Sequence, residues 1–185
     1  MAYNLVSADN HILEPRDLFT TRLPIEYRDR APRVLRGADG GDGWSWDGKT
    51  VGRTLGIEAT AGRSEVKISG YTWEEILPGN YDGAAHAKDM ADAGVDAAVL
   101  FPSIPLMGWF WGDDPFALAL FQTFNDWVIE DFCAADPKRL IGLPMMPVNH
   151  PMDVLLAEMD RCLKKGFKAL HIPVYPDRPY WDPYY

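Results

Sequence analysis

Three apolar runs alternating with amphipathic helical patterns constrain this chain more than any other feature. The runs are residues 95–101 (VDAAVLF), 139–146 (RLIGLPMM) and 167–172 (FKALHI). Short runs with little polar alternation read as strands buried on both faces. A further strand, residues 4–9, stands near the N-terminus. Asp82 caps a helix that runs to Ala93 and stops at Gly94. Asp114-Pro115 opens a second, with proline at its first position and an inner face of Ala117, Leu120, Phe121, Phe124 and Val128. It ends near Ala135, before Pro137. A third begins at Pro151, with Asn149 or His150 as its cap. Its apolar residues Met152, Leu155, Leu156, Met159, Cys162 and Leu163 recur at helical spacing, and Gly166 terminates it. Pro144 predicts an irregularity in the run that contains it. Strands joined by helices through short links form a parallel sheet, so the fold class is α/β.

Between the first strand and this regular part the pattern is lost. Residues 15–32 are proline-broken and charged, a short helix or surface loop. Residues 33–80 read as an excursion, either a lid or a plain surface insertion. They hold a turn cluster at Gly40-Gly41-Asp42-Gly43 and a hairpin over 44–51 around Asp47-Gly48. A short strand is expected at 65–69. Residues 102–113 read as a loop, and the chain closes with a proline- and tyrosine-rich segment, 173–185.

A chain of 185 residues with 47% hydrophobic content is long enough for one domain with its own core. The net charge, 18 − 27 = −9, argues against nucleic acid and anionic membrane surfaces as partners. A small anionic substrate stays open, because a metal can reverse the local field. Cys133 and Cys162 both fall in helical patterns and read as buried thiols of a reducing compartment. No signal-peptide or membrane-spanning pattern is visible, so a cytoplasmic location is expected. No glycine-rich nucleotide motif follows a strand.

In parallel βα folds, chemistry collects at the C-terminal ends of the strands. The first strand ends in Asp9-Asn10-His11-Ile12-Leu13-Glu14-Pro15. Asp9 and His11 are two apart, so both side chains can face one side and offer a divalent metal two ligands. The other reading of this short motif is a polar turn. The second strand leads to Ser103 and to Trp109, Phe110 and Trp111; the tryptophans can wall a substrate pocket or pack against neighbouring structure. The third leads to Asn149 and His150, the latter read as a cap or packing residue. His171 lies within the fourth strand and is a candidate substrate contact or proton-transfer group. Glu14 is either an acceptor that orients an imidazole at the pocket or a solvated carboxylate. His86 reads as structural, and Arg178 as either a partner for a substrate carboxylate or an exposed loop residue.

These motifs, taken in order, resemble the amidohydrolase-related proteins of the aminocarboxymuconate semialdehyde decarboxylase type. The matching stretches are Asp9-Asn10-His11-Ile12-Leu13-Glu14-Pro15 and Asp92-Ala93-Gly94-Val95-Asp96-Ala97-Ala98-Val99-Leu100-Phe101-Pro102-Ser103. They continue with Phe124-Asn125-Asp126-Trp127, Asp136-Pro137-Lys138-Arg139-Leu140-Ile141-Gly142 and Gly166-Phe167-Lys168-Ala169-Leu170-His171. The resemblance implies a TIM-type (β/α)8 barrel, of which residues 1–185 would be the N-terminal part, the first four βα units, with 33–80 inserted after the first strand. It implies one divalent metal, zinc or alternatively manganese, with Asp9 and His11 as ligands. Asp9 matches the form that carries a carboxylate at the first position instead of histidine. The implied activity is decarboxylation (a carboxy-lyase) or hydrolysis of a small carboxylated, aromatic-like or unsaturated substrate. A later metal histidine on strand five and an aspartate near strand eight have no counterpart among these residues. The alternative is an inactive half barrel that acts only through self-association, as a homo-oligomer, or through a partner.

Overall fold

The parallel sheet forms from the N-terminal strand and the first two apolar runs. In the computed structural model, which describes residues 4–46, 51–60 and 63–185, β1 (Val6–His11) is joined by α1 (Leu18–Arg22), then by a small antiparallel sheet of β2 (Arg33–Arg36), β3 (Asp42–Ser45) and β4 (Arg53–Thr54). The short helix α2 (Gly56–Thr60) and helix α3 (Gly83–Asp92) follow. Next come β5 (Ala97–Phe101), α4 (Pro115–Trp127), β6 (Leu140–Gly142) and α5 (Met152–Lys165). The main sheet has the order β1-β5-β6, with both pairings parallel. Ala97, Ala98 and Leu100 of β5 are fully buried, as a central strand covered on both faces requires.

The helices begin and end where the sequence signals stand. The Asp82 side chain accepts from Ala85 N at 2.7 Å, and Gly94 takes φ 71° just past the end of α3. Asp114 accepts from Phe116 N at 2.8 Å with Pro115 at the first position of α4. Past Trp127 the helix widens to π turns over Val128–Phe132 and tightens at Cys133–Ala135, ahead of Asp136-Pro137. Gly166, at φ 101°, ends α5. Cys133 and Cys162 are free and buried, and burial pushes both thiols up to about 12, so neither is a ready nucleophile.

Several expectations are corrected. The fourth strand is reduced to a single parallel bridge between Met145 and His171. Pro144 has no N–H to offer a ladder, and the Asn125 side chain takes both the N–H and the C=O of Met145. The third strand shortens to β6 for the same reason. Residues 102–113 are not a plain loop: Pro105–Trp111 forms a 3₁₀ helix. The strand expected at 65–69 is absent; those residues are bends and irregular chain. Neither Asn149 nor His150 caps α5, whose N-cap is Pro151 without a side-chain bond. The Asn149 amide instead bonds Trp109 O and Asp177 N, and His150 Nε2 donates to Asp114 O at 3.2 Å.

The excursion 33–80 packs into the main core. Its Trp44, Leu55, Ala59, Tyr71, Trp73 and Ile76 join one apolar core with Ile12, Leu100, Phe116 and Phe124. The hairpin expected over 44–51 has its arms in β3 and β4, which pair Trp44 with Arg53. Its Asp47-Gly48 turn lies outside the described residues. Among the described residues, no helix is long and apolar enough to cross a membrane.

Candidate functional site

At the C-terminal end of β1 the register against β5 slips by one residue between Ser7 and Asn10. This bulge re-aims the strand end. Asp9 and His11 emerge on one side, with His11 Nε2 3.7 Å from Asp9 Oδ1 and their side chains 52% and 79% exposed, histidine first. Asn10, between them, turns to the other side, where its amide donates to His86 Nε2 at 3.2 Å. His86 is itself fixed by donation from Nδ1 to Gly79 O at 2.7 Å.

His11 Nδ1 lies 2.9 Å from the Pro102 carbonyl. A carbonyl only accepts, so Nδ1 carries a proton, and in the neutral ring the lone pair sits on Nε2, the nitrogen facing Asp9. A lone-pair nitrogen beside a carboxylate, both open to solvent, fits a divalent cation, and the backbone hydrogen bond behind it is the usual support of a metal-ligating imidazole. Asp9 and His11 are the residues here that would hold it. Among the described residues, no cluster of three or more His, Cys, Asp or Glu side chains forms a fuller set.

His171 stands beside this pair. Its ring meets Phe101 at 5.0 Å and Trp109 at 4.9 Å, both edge-on, and Phe101 lies 5.8 Å from the His11 ring. Burial, reinforced by His11, pushes the imidazole down to about 4, so it is neutral at pH 7. Its Nδ1 is buried without a hydrogen-bond partner among the described residues.

A cleft of about 370 Å³ opens from His11 toward the small sheet, lined also by Asn80, Ser103, Arg53, Ile57 and Glu58. Arg53 Nη2 donates to Glu58 Oε1 at 2.5 Å, while Glu58 Oε2 is buried with no partner among the described residues. Neither residue was singled out from sequence. They lie in the stretch without periodicity; the pairing of β3 with β4 carries Arg53 to the rim, and α2 carries Glu58.

The remaining expectations are distributed differently. Glu14 is 0% exposed and lies beneath the cleft, not in its lining, accepting from Ser103 N and Ile104 N at 3.0 Å each. Trp109 is half-buried: its indole donates to Met146 O at 3.0 Å and its ring stacks toward Phe121. Trp111 packs edge-on against Phe116. Both tryptophans therefore brace α4, and only Trp109 also touches His171. Phe110, between them, is 80% exposed. Arg178 stacks over Tyr184 at 4.6 Å, away from the Asp9–His11 pair.

Compared with known proteins, the chain matches no family model and no curated protein. It does match solved structures. An amidohydrolase from Mycobacterium avium subsp. paratuberculosis K-10 superposes with a TM-score of 0.66 at 19% identity, over 92% of this chain and 49% of that one. The 2,6-dihydroxybenzoate decarboxylase from Rhizobium gives 0.51 at 16% identity over 95% of this chain and 40% of that one. Metarhizium anisopliae IDCase in apo form gives 0.52 at 15% identity over 85% and 38%. The chain thus spans about half the length of these structures or less. At these identities the likeness defines the fold: a mixed α/β chain with a parallel sheet, shaped like part of an amidohydrolase of the TIM-barrel type.

Proposed function

We propose that this chain is the N-terminal, ligand-bearing part of a metal-dependent enzyme of the amidohydrolase-related family, the first four βα units of its barrel. The observation that carries the reading is His11: its Nδ1 proton is committed to Pro102 O, and its free Nε2 faces Asp9 at the strand end. Zinc suits the imidazole–carboxylate pair, with manganese as the alternative. The bound metal would supply Lewis-acid stabilisation of developing charge, or an activated water.

The cleft supports a substrate class. Arg53 offers a guanidinium, which suits a small molecule bearing a carboxylate. The apolar walls, Ile12, Leu13 and Ile57, suit an aromatic-like or unsaturated body. His171, neutral and linked to His11 through Phe101, would accept or relay a proton. Decarboxylation is favoured over hydrolysis on the family resemblance; a metal held by Asp9 and His11 would stabilise the charge left as CO₂ departs.

The test is metal content. Purified protein should bind zinc, and the Asp9→Ala/His11→Ala double variant should lose it by elemental analysis while keeping its far-ultraviolet circular dichroism. Undiminished zinc in a folded double variant would sink the assignment.

A further inference from the structure

The buried carboxylate of Glu14 is tied to the same short turn as His11. Past His11 the chain dives inward, with Ile12 and Leu13 each 1% exposed, and Glu14 lies fully enclosed. One of its oxygens accepts from Ser103 N and the other from Ile104 N, at 3.0 Å each. The residue immediately before them, Pro102, is the one whose carbonyl receives the His11 Nδ1 proton. Ile12 N also donates to Phe101 O at 3.0 Å. Residues 101–104 and 11–14 are therefore stitched together by four hydrogen bonds, and the two Glu14 oxygens supply half of them.

A carboxylate is a costly group to bury. An amide of the same shape would bury more easily, but it brings one acceptor oxygen and a donor that would face a backbone N–H. Two successive N–H groups held at once call for two acceptor oxygens on one carbon, the ionised form that Glu14 takes above about pH 7. Packing alone explains a filled volume and leaves this chemistry unexplained.

We infer that Glu14 is a positioning residue: it clamps the 102–104 turn so that the Pro102 carbonyl holds His11 in the Nδ1–H tautomer, with Nε2 free as the ligand. The inference rests on the reading of His11 as a metal ligand. It adds the device that keeps this imidazole ready before any metal arrives.

Two-dimensional ¹⁵N–¹H correlation of the imidazole in the metal-free protein tests it directly. The wild type should show His11 as the Nδ1–H tautomer, with slowly exchanging Ser103 and Ile104 amides. Glu14→Gln should give a mixture of His11 tautomers and faster exchange at those amides. Zinc alone, titrated by calorimetry, should bind roughly 10–100-fold more weakly to the variant, the range typical of lost outer-shell support. A folded Glu14→Gln protein with wild-type His11 tautomer and zinc affinity would overturn the inference. If that variant does not fold, the wild-type spectrum decides: an Nε2–H His11, or rapid exchange at Ser103 and Ile104, overturns it equally. Failure of the metal assignment is distinguishable, since it appears as undiminished zinc in the Asp9/His11 double variant whatever Glu14 does.

Discussion

Two titratable side chains near the rim pull stability in opposite directions with pH. Burial pushes Glu14 up to about 7 from 4.5, against the partial relief of the Ser103 and Ile104 N–H groups. Between those values the folded chain holds a proton the unfolded chain releases. Its contribution is thus fully present below about 4.5 and is lost as pH rises through 7, by on the order of 3 kcal/mol at most. His171 behaves conversely. With its imidazole pushed down to about 4 from 6.5, the unfolded chain takes up a proton that the folded chain refuses. Its contribution is present above about 6.5 and is lost as pH falls toward 4. In the wild type the two slopes oppose each other between about 4.5 and 6.5. Urea unfolding across pH should separate them: His171→Phe should remove the acid-side loss, and Glu14→Gln the loss toward neutrality. A His171→Phe profile parallel to the wild type from pH 7 to 4 would contradict the enclosed, neutral imidazole.

At the level of elements, Asn125 does the work of a missing strand residue. Fully buried on α4, it accepts from Met145 N at 2.7 Å and donates to Met145 O at 3.1 Å. Its amide also donates to Glu158 Oε1 at 2.8 Å. Glu158, 2% exposed on α5, would be raised by burial, but Arg161 and Asn125 outweigh that and hold it below the usual carboxylate range. One amide thus connects α4, the chain after β6, and α5. Asn125→Ala strands both backbone groups of Met145 and should cost about 2–4 kcal/mol in urea unfolding, since each unmet buried polar group costs about 1–3 kcal/mol. A loss under 1 kcal/mol would mean that water or a neighbour replaces the amide. Elements with local punctuation were legible: Asp82 and Gly94 around α3, Asp114-Pro115 before α4, and Gly166 after α5 act through bonds to their own neighbours. The fourth strand was not legible as it stands, because apolarity at 167–172 says nothing of whether Met145 is free to pair.

Across the whole molecule, the two sheets share one core. Trp44 of the small sheet is 0% exposed and meets Phe19 and Trp73 edge-on at 6.5 and 6.2 Å. Trp44→Ala should therefore cost about 3–5 kcal/mol, and tryptophan fluorescence and far-ultraviolet circular dichroism should report one coincident unfolding transition. Separate transitions would show the small sheet to be an independent unit. The same substitution should weaken binding of a carboxylate ligand, since β4 carries Arg53 to the cleft. The outer strand β1 begins at Val6, which with the preceding Leu5 is about half exposed, and Leu170 and Ile172 flank the opposite edge at His171 partly exposed. Both flanks of the main sheet therefore present apolar surface.

The sequence by itself determined the α/β class, the parallel order of the regular part, and the Asp9–His11 pair at a strand end. Each rests on spacing: period 3.6 for the helices, continuous apolarity for the strands, period two for the pair. Only the tertiary structure decided which nitrogen of His11 is free, because that depends on Pro102, 91 residues away. It also decided that Glu14 is enclosed beneath the cleft and that Arg53 and Glu58 line it. Those outcomes follow from the approach of one strand end to another and from β3–β4 pairing, contacts between distant residues that no local pattern encodes.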